Sequence, residues 1–136
     1  MKNLLKFFLI LQIIFFTGNL FAKIESKIIL KVENEIITNY EVKNKIITTL
    51  VLSDLEINQD NINKLKKKSL DTLINSKLKK TELSKYNFNY EQSQLKSYLN
   101  RISKNDIQSL KDKFKSNNIN YEIFLDEAKI EMKWQK

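Results

Sequence analysis

From Asn61 to Tyr86 the chain runs without a glycine or a proline. Its apolar residues Ile62, Leu65, Leu70, Leu73, Ile74 and Leu78 recur mostly at steps of three to five, which gathers them on one side of an α-helix. Lys64, Lys66, Lys67, Lys68, Lys77, Lys79 and Lys80 take most of the remaining circumference. Nothing in the stretch bends or stops a helix, and a rod of this length spans roughly 39 Å at 1.5 Å per residue. The sequence therefore predicts a mainly α fold built on this spine: a short N-terminal β-hairpin, then about five helices packed around the one long helix.

The length of 136 residues fits one domain, and a 42% hydrophobic content marks a globular chain. Cysteine and histidine are both absent, which removes disulfides, thiol nucleophiles, thiolate metal sites and the commonest general base. The single glycine, Gly18, leaves no phosphate-cradling loop downstream of it. The paired carboxylates Glu33/Glu35 and Asp126/Glu127/Glu131 come with no nucleophile or metal-ligand set. Glu127 and Glu131 lie one turn apart and read as a solubilising pair. No catalytic residue, metal or cofactor is indicated.

Residues 1–22 read MKNLLKFFLILQIIFFTGNLFA. Two lysines precede the apolar run Phe7 to Phe16, and Ala22 follows as a small residue, the layout of a secretory signal peptide. The run is shorter than the ~20 residues of a comfortable membrane span. Cleavage after Ala22 leaves residues 23–136 outside the cytoplasm, with the membrane involved only through the leader during export. An uncleaved anchor is the alternative. Loss of Lys2 and Lys6 leaves 22 basic against 16 acidic residues. Only one of the basic residues, Arg101, is an arginine, so the forked donor favoured by phosphates and bases is nearly missing. A solvated lysine surface, with no nucleic-acid partner, is the reading this supports.

The exported part divides by local signals. Lys27 to Val32 is β-branched and apolar, a strand, and Glu33-Asn34-Glu35 is a tight turn in which Asn34 suits the left-handed region. Ile36 and Ile37 return. Thr38 with Glu41 forms a capping box that opens a helix with Val42, Ile46, Ile47, Leu50 and Val51 on its inner face. After the spine, Asn89 with Gln92 predicts another capping box, ahead of Leu95, Tyr98, Leu99 and Ile102. Asp106 caps a further helix with Ile107, Leu110 and Phe114 inward, Asn117 and Asn118 stop it, and Asn120 caps the last one.

That last helix has one apolar stripe of Tyr121, Phe124, Leu125, Ala128 and Met132, and a second line of Ile123, Ile130 and Trp134. A helix apolar on two sides usually has a partner on each, so the second line marks a fragment's broken contact or an interaction surface, with Trp134 folding back on the core as the alternative. Most aromatics of the second half belong to the core, and those left outside offer an adaptable apolar surface. The candidate peptide-binding residues are Tyr98, Phe114, Ile123, Ile130 and Trp134.

The order of these motifs resembles the N-terminal domain of the SurA family of periplasmic chaperones. KVENEIITNYEV (Lys31 to Val42) is similar to the family's opening strand, turn and Ile-Thr helix start. SLDTLINSKLKKTELSKYNFNYEQSQL (Ser69 to Leu95) resembles its Leu-Ile-x-x-x-Leu block. NINYEIFLDEAKIEMKWQK (Asn118 to Lys136) resembles its Gly-x-x-[Tyr/Phe] block, with Asn118 where the family often has glycine. Asn89-Tyr90 likewise stands in place of a Ser/Thr cap. The resemblance implies a chaperone module over residues 23–136 that binds unfolded polypeptides, outer-membrane proteins in particular, without chemistry or cofactor. Family members continue into parvulin domains, so the alternative it implies is the front piece of a peptidyl-prolyl cis-trans isomerase. None of the residues quoted carries isomerase chemistry.

Overall fold

The computed structural model describes residues 26–87 and 89–135. The order is β1 (Ile28–Val32), β2 (Glu35–Thr38), α1 (Asn39–Leu52), α2 (Gln59–Leu83), α3 (Gln92–Ile102), α4 (Ile107–Ser116) and α5 (Tyr121–Trp134). The described chain is mainly helical with one antiparallel hairpin at its start, as the sequence leads one to expect. The leader expected at residues 1–22 lies outside the described residues. Among those described, no helix is long and apolar enough to cross a membrane.

α2 is the rod. Asn58 opens it by accepting from the Asn61 N–H at 2.9 Å, two residues ahead of the start that its apolar periodicity suggests. α1, α5 and the hairpin pack along α2, while α3 and α4 pack chiefly on α5 and α1. Ser69 and Leu73 are the residues that α2 buries fully. Leu78, expected on the inner stripe, is exposed.

The hydrophobic core has two parts. Val32, Ile37 and Leu73 close under the hairpin, with Val42, Leu70 and Ile74 around them. Ile47, Leu110, Phe114, Ile119 and Phe124 form the larger helical part. Phe114 meets Phe124 edge-on at 5.2 Å and Tyr121 at 5.8 Å, the geometry that ring quadrupoles favour.

Helix ends follow from local chemistry. The Thr38–Glu41 capping box forms on both sides: Glu41 Oε2 accepts from the Thr38 N–H at 2.8 Å, and Thr38 Oγ1 from the Glu41 N–H at 3.2 Å. Asp106 accepts from the Ser109 N–H, and Asn120 from the N–H groups of Glu122 and Ile123. The second box lies elsewhere than expected. α3 starts at Gln92, with Gln94 reaching back to the Glu91 N–H at 3.4 Å, and not at Asn89. Tyr90 thereby stays outside the helix, with the Lys133 ammonium 5.9 Å from its ring centre.

Three helices end in Schellman motifs without glycine. The Leu55 N–H donates to Leu50 O, Asn105 to Asn100 O and Ile119 to Phe114 O, each spanning five residues. Asp54 (φ 51°), Lys104 (φ 53°) and Asn118 (φ 54°) take the left-handed position that glycine usually fills. In the hairpin it is Glu33 (φ 52°), and not Asn34, that takes a positive φ.

Candidate functional site

The hairpin does more than start the fold. Its register pairs Ile28 with Thr38 and Leu30 with Ile37, so Ile29 is an extra residue in β1. A bulge of this kind redirects a side chain from its strand's alternation. Ile29 is turned onto a groove of about 600 Å³ between the hairpin, α1 and α2. Val42, Ile46 and Ile47 of α1 and Ile62 and Leu70 of α2 supply the rest of its apolar wall. Lys43, Lys66 and Lys67 stand at its edge. Beside it, Ile28 is 64% exposed and Ile29 50%, and Leu30 and Ile36 are exposed too. This is the largest run of uncovered apolar side chains in the described chain.

The hairpin is pinned to α2 by charge as well as by its buried residues. Lys77 Nζ lies 2.7 Å from Glu41 Oε1 and 3.7 Å from Glu35, and Lys80 lies 2.8 Å from Glu35. Burial pushes the Glu41 carboxyl up, but the hydrogen bonds and charge of Lys77 and the bonds from Thr38 outweigh it. The net position is below the usual glutamate range.

A second groove, of mixed polar and apolar lining that includes Ala128 and Met132, lies on another face. About 480 Å³ between α3 and α5 is lined by Gln94, Ser97, Tyr98, Arg101, Glu131 and Gln135. It continues toward α2 through a space of about 360 Å³ that shares Tyr98, Ala128 and Glu131. Lys79–Glu131 at 2.5 Å and Lys45–Glu127 cross that space. The pair read as merely solubilising, Glu127 and Glu131, thus ties α5 to α2 and α1. Among the described residues no group of three or more acidic side chains converges to hold a metal ion.

Comparison with protein-family models, with curated proteins and with solved structures finds no match.

The five residues expected to bind peptide do not form one surface. Phe114 is 1% exposed at the centre of the helical core, so it has no face to offer a partner in this fold. Tyr98 is half-buried, its ring 6.2 Å from that of Phe124, with the Arg101 guanidinium 5.8 Å from the ring centre. Burial raises its phenol above the usual tyrosine range. Ile123 and Ile130 are half-buried on α5. Trp134 is exposed at 46%, with the Lys79 ammonium 5.7 Å from its ring centre. Lys79 is twelve residues beyond Lys67 on α2. At 1.5 Å per residue that sets the Trp134 end roughly 18 Å from the apolar groove.

The sequence does carry a signal for the groove. Ile28, Ile29 and Leu30 are three consecutive apolar residues in a strand whose side chains should alternate, so a two-stranded sheet cannot bury them all. The uncovered surface is aliphatic, and a search for aromatics passes over it.

Proposed function

We propose that this protein is a periplasmic chaperone module that holds unfolded polypeptide chains, those of outer-membrane proteins in particular, by non-covalent apolar contact. The observation that carries this reading is the apolar groove walled by Ile29, Val42, Ile46, Ile62 and Leu70 and opening beside the exposed strand β1. Shallow apolar surfaces with a polar edge take extended, chemically varied chains, because burial of aliphatic area is non-directional and asks for no fixed sequence. The surrounding lysines keep that surface soluble. The order of sequence blocks, similar to that of the SurA N-terminal domain, supports the same reading. The leader, in this reading, carries the module across the inner membrane and is removed.

The test is binding of a denaturant-diluted outer-membrane protein to the purified exported protein, read by light scattering and by fluorescence of the client. Micromolar binding with suppressed client aggregation is expected. A client that aggregates at the same rate with and without the protein would overturn the reading.

A further inference from the structure

The charge around the apolar groove is one-sided. Lys43 on α1 and Lys66 and Lys67 on α2 are exposed at its edge and have no ion pair among the described residues. The carboxylates close to them in sequence do not neutralise them: Glu41 is engaged by Lys77, and Asp71 makes no ion pair with Lys67. No residue lining the groove is acidic. Of the other α2 lysines, Lys68 also lacks an ion pair among the described residues, while Lys64 pairs with Asp60, Lys77 with Glu41, Lys79 with Glu131 and Lys80 with Glu35. The uncovered aliphatic wall is thus bordered by three cations and by no carboxylate.

We infer that the groove selects apolar polypeptide segments flanked by aspartate or glutamate, its aliphatic wall taking the apolar part and Lys43, Lys66 and Lys67 the carboxylates. The inference rests on the reading of the protein as a polypeptide binder and names the client chemistry at that site. An exposed lysine beside an apolar surface attracts opposite charge over about a Debye length and repels like charge, so it discriminates more than it binds. The same field disfavours a second copy of this chain, whose net charge is +8, and the leader, whose charged residues are Lys2 and Lys6.

The test uses three synthetic peptides with one aliphatic sequence and flanks of glutamate, glutamine or lysine, titrated into the protein at low and high salt. At low salt the glutamate-flanked peptide should bind about tenfold more tightly than the lysine-flanked one, and salt should shrink the gap. The charge reversal K43E/K66E/K67E alters exposed side chains only and should invert the order of the two charged peptides, leaving the glutamine-flanked peptide nearly unchanged. Equal affinity for the three peptides, or an order unmoved by the reversal, overturns the selection while leaving polypeptide binding intact. Binding of none of them, with unfolded outer-membrane protein also unbound, sinks both readings. Two other outcomes overturn the inference. One is tighter binding to vesicles of anionic lipid than to any peptide. The other is self-association in sedimentation that the charge reversal abolishes.

Discussion

The side-chain oxygen of Asn44, in the middle of α1, accepts a 2.7 Å hydrogen bond from the backbone N–H of Asn120, 76 residues later. Asn44 is buried, and its amide also donates to Asn120 O at 3.5 Å. The residue that caps α5 is therefore itself held by α1. One turn further along α1, the hydroxyl of Thr48 is buried with no hydrogen-bond partner. The two positions should respond oppositely to loss of their polar groups. Asn44→Ala strands the Asn120 N–H and should cost about 1–3 kcal/mol in urea unfolding, whereas Thr48→Val should be neutral or stabilising.

Glycine at the left-handed helix ends should stabilise the protein. An L-residue with a side chain pays about 1–2 kcal/mol for that conformation, and asparagine pays least. After allowance for the greater freedom that glycine gives the unfolded chain, Lys104→Gly should gain about 0.5–1 kcal/mol. Asn118→Gly should gain less. Thermal unfolding of the two variants checks the ranking.

Stability should depend on the charge of Glu41. Its folded pKa is lowered, so the associated stability is complete above the ordinary glutamate value of about 4.3 and is lost as pH falls through the folded value. Glu41→Gln keeps a side chain able to complete the capping box but has no charge to give Lys77. It should lower stability at pH 7 and flatten the decline seen on acidification. Chemical denaturation of both proteins at pH 7 and at pH 3 measures the difference.

Two isoleucines of the hairpin should separate folding from binding. Ile37 is fully buried, and Ile37→Ala should cost about 2–5 kcal/mol. Ile29→Ser removes a half-exposed wall of the groove and should change stability by no more than about 0.5 kcal/mol. Client affinity should nonetheless fall several-fold in Ile29→Ser. Parallel denaturation and client-binding curves test this pair.

On the proposed reading, export removes the leader and the mature protein should begin at Lys23. N-terminal sequencing of periplasmic material gives the answer directly, and a chain beginning at Met1 would mean an uncleaved anchor.

Features set by residues three or four apart were legible in the sequence. Thr38 with Glu41, Asp106 with Ser109 and Asn120 with Ile123 are local bonds, so the pattern alone places them. The stripes of α1 and α2 were legible for the same reason. What escaped was decided by distant contacts or by closely balanced choices. Glu33 takes the strained turn position although Asn34 beside it pays less for it. α3 begins at Gln92 while Tyr90 lies against Lys133 of α5, a partner invisible to any local rule. Asn44 reads as an ordinary polar helix residue until Asn120 arrives beside it. Phe114 was legible as core, since it shares the inward face of Leu110 at helical spacing, and its place among the peptide-binding candidates ran against that reading; the exposure of Trp134 was left to tertiary packing.

The division of the core has a mechanical consequence. Among the described residues, Val32, Ile37 and Leu73 are the buried members of the part beneath the hairpin, and the polar grip there is a few surface-proximal lysine–carboxylate pairs. A unit held so lightly opens at lower free energy than the helices behind it, so its amides exchange with solvent first. Since Ile29 rides on that unit, one wall of the groove should yield before the other, and the amides of Ile28–Val32 should lose protection ahead of those of α1 and α2.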